Sequence, residues 1–308
     1  MQILNAMEND KCKELLPQYP DILQEVPVSD WPLLRDVFKD DWPFAIYPYY
    51  IVQNWINWKS KDPHLEEVKI YCPYGDWSSG TMIVEHKAEY GYTIYLFTLE
   101  KGCQLLKEAL TTTSVLDWSL GPYVYGVHQD QWDAVKASLV HHNLKTEYQI
   151  ESGYHWISKE VAAQFKVECP PEVYIAPLSA EDVPTIDKHW PHSFPGSDDF
   201  LRQLLNQNGG LGLYLKEDQT LVSWIMKNQL LGLGTLQTVD NHKRKGYARI
   251  LTMALTKKMA QEGVDVHTCI VRQNVVSQTL FKSLGFKHVD HLMFEKVQEF
   301  DKNQQHAR

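Results

Sequence analysis

Four basic side chains surround one glycine in the second half of the sequence. Lys243, Arg244 and Lys245 stand directly before Gly246, and Arg249 follows one helical turn later. The flanking pattern predicts a strand, a turn and then a helix. The first N–H groups of a helix have no acceptor within it, and the helix dipole adds partial positive charge there. The segment therefore predicts a site for phosphate oxygens, with Gly246 allowing the backbone to approach closely.

The overall charge makes this local cluster informative. The 308 residues carry a formal net charge of -9, so the whole surface should not attract nucleic acid or an anionic membrane. A Lys/Arg run at a helix start is by itself more often a solvated surface. Its position after a buried strand favours anion binding here. The small side chain of Ala248 leaves room for a ligand to lie against the helix backbone on the same face.

Composition also limits the class of protein. The five cysteines are scattered without the close pairs of a zinc site, so no metal is expected. The N-terminus lacks a basic start followed by an apolar stretch, and no segment is apolar enough to span a bilayer. We expect a cytoplasmic monomer or homodimer with no membrane or nucleic-acid partner.

The second half has a readable order of elements. It predicts a strand, two helices, three strands, a helix, a strand, a helix and a final strand. This order is typical of an α+β fold with a mixed central sheet flanked by helices, in which one helix crosses between parallel neighbours. Predicted strands cover 172–176, 211–216, 221–226, 230–239, 264–271 and 286–297, and predicted helices begin near 179 and cover 197–209, 246–263 and 275–284.

A weak internal repeat predicts two related domains. Residues 96–106 parallel 236–240 followed by 245–251, and residues 127–130 parallel 271–274. We interpret the first half as a degenerate copy that has lost the basic loop; the alternative is chance similarity between two strand–helix junctions. The aperiodic stretch 158–172 reads as the link, which predicts domains at 1–165 and 166–308.

Two motifs resemble those of a known superfamily. Lys243-x-x-Gly246-x-Ala248 resembles the Arg/Gln-x-x-Gly-x-Gly/Ala signature of the GCN5-related N-acetyltransferases. The stretch from Asn274 through Ser277 to Gly285-Phe286 resembles their second signature. Within this superfamily the chain is most similar to the glycine N-acyltransferase-like branch with its FR47-like C-terminal domain.

The resemblance implies an enzyme that moves an acyl group from acetyl-CoA or another acyl-CoA to the amine of a small acceptor, such as glycine or another amino acid-like amine. It also implies a coenzyme pocket. The residues carried over to that pocket are Leu236, Gln237, Thr238, Val239, Lys243, Arg244, Lys245, Gly246, Tyr247, Ala248, Arg249, Asn274, Ser277 and Phe281.

The implied catalytic groups are incomplete. The backbone N–H of Leu236 is the candidate donor to the developing oxyanion. The usual general acid, a Tyr, is replaced by Phe281, and the branch's base, a Glu, aligns with Gly232. His189 and His192 are replacement bases, although a structural histidine is the commoner finding. A non-catalytic acyl-CoA-binding or regulatory protein is therefore the alternative.

Four further residues invite functional roles but are interpreted as structural. Trp55 and Trp58 lie three apart on a predicted helix, which favours packing over acceptor recognition. Cys269 lies mid-strand and reads as a core residue rather than a nucleophile. His267 is likewise interpreted as structural.

Overall fold

The computed structural model describes residues 20–299, apart from the side chain of Glu299. The described strands are β1 (Leu23–Glu25), β2 (Val68–Pro73), β3 (Met82–Ala88), β4 (Gly91–Phe97), β5 (Tyr123–His128), β6 (Leu144–Ile157), β7 (Val173–Pro177), β8 (Gly210–Leu215), β9 (Leu221–Lys227), β10 (Leu233–Thr238), β11 (Val266–Val271) and β12 (Lys287–Glu299). The described α-helices are α1 (Trp31–Asp36), α2 (Ile46–Lys61), α3 (Gln104–Thr112), α4 (Trp132–His141), α5 (Lys159–Ala162), α6 (Val183–His189), α7 (Ser197–Asn208), α8 (Tyr247–Gln261) and α9 (Val275–Ser283).

The described strands form one mixed sheet in the order β1-β2-β3-β4-β5-β12-β6-β11-β10-β9-β8-β7. The pattern of strand pairing is the same when it is followed inward from either edge of the sheet. Antiparallel pairing from β1 to β4 is followed by the parallel pair β4–β5, and antiparallel pairing from β7 to β10 by the parallel pair β10–β11. One helix joins each parallel pair, α3 in the first half and α8 in the second. The matching order confirms the duplicated α+β unit.

Each half completes the sheet of the other. β6 comes from the first half but pairs with β11, while β12 comes from the second half and pairs with β5. The two exchanged strands also pair with each other, from Lys287 opposite Trp156 to Glu299 opposite Leu144. The division at residues 165 and 166 stays a proposal about repeated units, since the sheet runs through both.

Three hydrophobic cores cover the two faces of the sheet. On one face, α3 and α4 pack on the first half, and α8 and α9 pack on the second. On the opposite face, α1, α2, α6 and α7 contribute to a core that both halves share. Trp58 Nε1 donates to Asn208 Oδ1 at 2.7 Å, and Asn208 Nδ2 donates to Asn54 Oδ1 at 2.9 Å, which ties α2 to α7.

Local signals in the sequence located most helix ends. The Ser179–Asp182 capping box is formed, with Ser179 N donating to Asp182 Oδ2 at 2.7 Å. Trp55 and Trp58 are buried with ring centroids 4.8 Å apart, which confirms their packing role. Among the described residues, no helix combines the length and apolarity needed to cross a membrane.

Candidate active site

The basic loop leads into an uncovered helix start. Gly246 precedes α8 at φ 84°, a left-handed conformation that favours glycine, and Arg244 is also left-handed at φ 68°. The N-cap residue provides no side-chain cap, and a Cβ at Gly246 would meet no atom within 4 Å. The space beside Gly246, at the start of α8, is therefore open, and anion binding to the first-turn amides requires such space.

The cations around this helix start are exposed. Lys243, Arg244 and Lys245 all reach solvent. Lys243 Nζ lies 2.6 Å from Asp240 Oδ1, and Lys245 Nζ lies 5.9 Å from the centre of the Tyr247 ring. Exposed ion pairs contribute little to stability, so these cations remain free to turn toward a bound anion.

The remaining loop residues differ in what they present. Tyr247 is buried and its hydroxyl donates to Glu172 Oε1 at 3.0 Å, so only its backbone can face a ligand at the loop. Arg249 reaches α9, where Nη1 donates to Ser283 Oγ at 2.8 Å. Ala248 is half-buried, and its small side chain leaves room beside the helix backbone.

A slot opens between β10 and β11. The two parallel strands are in register at a single pair, Leu233 opposite Thr268, and Thr268 Oγ1 donates to the Leu233 carbonyl at 3.1 Å. Beyond that point no β10–β11 ladder continues among the described residues. Leu236 and Gln237, farther along β10, are half-buried. The edge of β10 that lacks pairing with β11 therefore extends toward the basic loop.

A bulge distorts β10 at the predicted oxyanion position. Gly234 pairs with Met226 and Gln237 with Trp224, so Thr235 and Leu236 together face one residue of β9. Thr235 has φ 51°, which is rare for a β-branched residue. Such strain persists where the surroundings hold it, and it commonly marks functional sites.

Comparisons with known proteins agree with this geometry. The FR47-like protein family model matches residues 210–294, and a domain of unknown function, DUF5645, matches residues 22–138. A Drosophila protein solved by X-ray crystallography is 24% identical with a TM-score of 0.83, covering 90% of this chain and 98% of its own. A tandem GNAT protein from the clavulanic acid biosynthesis pathway is 13% identical with a TM-score of 0.56, covering 90% and 98%. A GCN5-related N-acetyltransferase from Sphaerobacter thermophilus is 10% identical with a TM-score of 0.53, covering 93% and 98%.

The fold is that of a tandem GCN5-related N-acetyltransferase. Its second half contains the FR47-like segment, which spans the bulged strand, the basic loop and the second motif. These features lie on consecutive elements β10, α8, β11 and α9, in the order that the two motifs predicted.

The second motif shapes the start of α9. Asn274 caps this helix by accepting a hydrogen bond from Ser277 N at 3.1 Å. Ser277 is half-buried, so its side chain can still contact a coenzyme lying against α9. Phe281 is buried, with its ring edge-to-face on Phe286 at 5.0 Å, so it presents little surface to a ligand.

Two histidines were predicted as replacements for the missing base, and the structure places both. His189 Nδ1 contacts the Thr185 carbonyl at 2.9 Å, which makes Nδ1 the donor and leaves the Nε2 lone pair available. Lys243 lowers the pKa of the Asp240 carboxyl and His189 adds to the shift, which places this ring near the basic loop. His192 has an exposed edge, yet desolvation by its surroundings lowers its pKa.

His267, which the sequence analysis interpreted as structural, is fully buried between β10 and α2. His267 Nε2 donates to the Leu230 carbonyl at 2.8 Å, and buried Nδ1 has no partner among the described residues. A Cβ at Gly232 would lie 2.9 Å from that Nδ1, so the imidazole fills the space beside the position aligned with the branch's Glu. Burial lowers the pKa of His267 to about 4, which keeps it neutral.

Cys269 and metal binding complete the account of the site. Burial raises the pKa of the Cys269 thiol to about 12, which argues against a nucleophilic thiolate. Among residues 20–299 no group of three His, Cys, Asp or Glu side chains is arranged to hold a metal ion.

Proposed function

We propose that this protein transfers an acyl group from acetyl-CoA or a related acyl-CoA to the amine of a small acceptor, by direct attack on the thioester. The observation that carries the proposal is the coincidence, in one half, of a bulged β10, a slot beside β11 and an uncovered start of α8. Each has an assigned role in this chemistry, and the first half lacks two of the three features, as compared below.

The coenzyme would lie along the slot with its diphosphate at the basic loop. The first-turn amides of α8 and the side chains of Lys243, Arg244 and Lys245 would hold the phosphates. Asn274 and Ser277 would flank the pantetheine arm from α9. Gly246 matters because any side chain there would enter the space that the phosphates need.

At the reacting end, the backbone N–H of Leu236 would donate to the oxygen that gains negative charge as the amine attacks. The new C–N bond forms as the C–S bond breaks, and the amine gives up a proton. His189 and His192 are the candidate proton acceptors, with water as a bridge where needed. A thiol of pKa about 8.5 can leave as thiolate at a cost of roughly 2 kcal/mol at pH 7, so the absence of a Tyr acid is tolerable.

Glycine or another amino acid-like amine is the acceptor that the resemblance to the glycine N-acyltransferase-like branch favours. A cytoplasmic location and a monomer or homodimer go with the same proposal. No contact among the described residues distinguishes one acyl chain length from another, so acetyl-CoA is the first donor to test.

The test is steady-state release of free coenzyme A with a panel of amines and acyl donors. Transfer above the rate in solvent supports the enzyme. The alternative, a non-catalytic acyl-CoA-binding protein, is motivated by Phe281 and Gly232 at the usual acid and base positions. It predicts calorimetric binding of acetyl-CoA with no transfer to any amine, so measured turnover would exclude it.

A further inference from the structure

The turn that leads into the bulged strand is held together by one side chain. Residues 228–232 connect β9 to β10, and we call them the β9–β10 turn. Asn228 Oδ1 accepts hydrogen bonds from Leu230 N and Gly232 N, each at 3.0 Å, and Asn228 N donates to the Gly232 carbonyl at 2.8 Å. Leu231 has φ 53°, a left-handed conformation that is uncommon outside glycine. The shape of the turn therefore depends on Asn228.

The β9–β10 turn fixes where β10 starts. Directly after the turn, Leu233 makes the single pair of β10 with β11, opposite Thr268. A Cβ at Gly234 would lie 3.3 Å from Asn228 Cβ, so the turn also packs against the residue before the bulge. Since the β10–β11 ladder does not continue among the described residues, the path of β10 along the slot is set at this start.

A second anchor lies on the other side of the bulge. Ser223 Oγ donates to the Gln237 carbonyl at 2.8 Å and lies 2.8 Å from Thr238 Oγ1. Thr235 and Leu236 therefore stand between two fixed points, the β9–β10 turn and Ser223. A left-handed, β-branched residue such as Thr235 persists only where its surroundings hold it. Both anchors are thus needed to keep the Leu236 N–H in place.

Asn208 connects the β9–β10 turn to the first half. It is the last residue of α7. Its Nδ2 donates to the Asn228 carbonyl at 2.8 Å and to Asn54 Oδ1 at 2.9 Å, and its Oδ1 accepts from Trp58 Nε1 at 2.7 Å. Asn54 and Trp58 lie on α2, in the first half. One amide thus joins a helix of one half to the turn that starts β10 in the other.

Burial makes this connection costly to lose. Asn54, Trp58 and Asn208 are all buried, so water cannot readily replace a missing partner. The side chains of Leu230 and Leu231 pack into the core that both halves share. The turn is therefore held by packing as well as by hydrogen bonds, and the three bonds of Asn208 fix the distance from α2 to the turn.

We propose that Asn208 is a positioning residue for acyl transfer. Through Asn228 it fixes the start of β10, and so it holds the Leu236 N–H where the oxyanion forms. The inference rests on the proposed transferase function. It gives the first half a part in the reaction that requires no coenzyme site of its own.

The experiment measures steady-state transfer at saturating acetyl-CoA by the full chain carrying Asn208→Ala, with the amine that the panel identifies. We expect kcat to fall about tenfold to 100-fold, because a donor displaced from the oxyanion loses much of its contribution. The Kd for acetyl-CoA should not change, since the phosphates are held at the start of α8. A purely structural role would lower stability and leave kcat per folded molecule unchanged.

Gln203→Ala is the matched control. Gln203 also lies on α7 and also joins the two halves, because its Nε2 donates to Glu67 Oε2 at 2.9 Å and its Oε1 accepts from the Tyr90 hydroxyl. No hydrogen bond among the described residues joins Gln203 to the β9–β10 turn. We expect this variant to keep the kcat of the wild type.

Asn228 gives a second test at a half-buried position, which decides the matter if Asn208→Ala does not fold. Asn228→Ala removes the acceptor for Leu230 N and Gly232 N, and it should lower kcat about tenfold. Asn228→Asp keeps an acceptor oxygen at the same place, so kcat should return to within about twofold of the wild type.

The outcomes separate the positioning role from the proposed function. Unchanged kcat in either alanine variant that folds, an equal fall in Gln203→Ala, or no recovery in Asn228→Asp overturns the positioning role and leaves the transferase intact.

If the wild type transfers to no amine, the NMR signal of the Leu236 amide decides. Acetyl-CoA should shift this signal in the wild type and in Gln203→Ala, and much less in Asn208→Ala or, if that variant does not fold, in Asn228→Ala. That pattern supports the positioning role while the transferase fails. Equal shifts in all of them, or no shift in the wild type, overturn it.

Discussion

The two halves share a topology but differ at equivalent helix starts. At α8 the N-cap residue offers no side-chain cap and the space beside Gly246 is open. At α3 the carboxylate of Glu100 accepts a hydrogen bond from Leu105 N at 2.8 Å. A carboxylate at a helix start satisfies the same amides and dipole that a phosphate would. The first half therefore supplies its own anion where the second half leaves room for one.

The parallel pair β4–β5 of the first half also differs from the pair β10–β11 of the second half, because a side chain fills the space at the end of β4. Gln131 in the first half is fully buried, and its Nε2 donates to the Thr98 carbonyl at 3.0 Å, just past the end of β4. The β3–β4 ladder also runs without a register shift, whereas β10 carries its bulge at Thr235. One topology can thus keep or lose a coenzyme slot through a few side chains, because the scaffold does not depend on them.

The sharpest way to break this comparison is a matched pair of glycine substitutions. Gly246→Asp should raise the Kd for acetyl-CoA at least about 100-fold, since it places negative charge against the diphosphate at a helix start. Gly102→Asp in the first half is the control, because Gly102 is also left-handed, at φ 88°, with open space around it. Calorimetry measures both; equal losses would show that the loop assignment is wrong.

The next largest effect concerns pH and the histidine on β11. Burial lowers the pKa of His267 to about 4, against about 6.5 in an unfolded chain. As pH falls, the unfolded state binds a proton at this histidine before the folded state does. The contribution of neutral His267 to the free energy of unfolding is therefore fully present above pH 6.5. It is lost as pH falls toward 4, by up to about 3 kcal/mol. Urea unfolding at pH 7, 5.5 and 4.5 should show a steeper loss than in His267→Gln.

The aligned position in the first half holds Tyr123, if Val127 is matched with Val271. Tyr123 does not ionise in this pH range because burial raises its pKa. Equal pH dependence in wild type and His267→Gln would assign the titration elsewhere in the protein.

A smaller effect is expected from the loop cations. Arg244→Ala combined with Lys245→Ala should raise the Kd for acetyl-CoA about tenfold at low salt and less at high salt, because exposed charges are screened. Lys101→Ala combined with Lys107→Ala changes the charge equally near the start of α3. That control should leave the Kd unchanged, and a similar loss in both double variants would indicate only a general effect of net charge.

The smallest effect tests the carboxylate in the first half. Glu100→Gln should lower the free energy of unfolding by about 0.5–1 kcal/mol, because a neutral amide interacts less well with the helix start. Urea unfolding measures this change. Affinity for acetyl-CoA should remain that of the wild type; an altered Kd would mean that the first half takes part in coenzyme binding.

Local patterns in the sequence predicted the elements of the second half and the order of the two motifs. The basic loop before Gly246 lies where the pattern placed it, because strand periodicity, glycine and helix start are all local signals. The repeat between residues 127–130 and 271–274 likewise predicted a shared topology, which the strand order confirms. The coenzyme residues themselves remain a prediction.

Long-range pairing could not be predicted in this way. β6 and β12 have ordinary strand patterns, and nothing in them indicates which half's edge each strand joins. The left-handed residue of the bulge is Thr235 rather than a glycine, so the sequence does not mark that conformation. The position of His267 beside Gly232 depends on two strands coming together, so only a small residue on one strand and a histidine on its neighbour could have suggested it.

The exchange of β6 and β12 has a consequence for biosynthesis. When the ribosome has made the first half, the open edge of β5 still lacks the strand that will cover it, and β6 has neither of its neighbours. A nascent chain in this state exposes unpaired strand edges, which are prone to associate with other chains. Cutting the gene at the link should therefore yield two insoluble fragments, whereas co-expression of both fragments should restore a soluble pair.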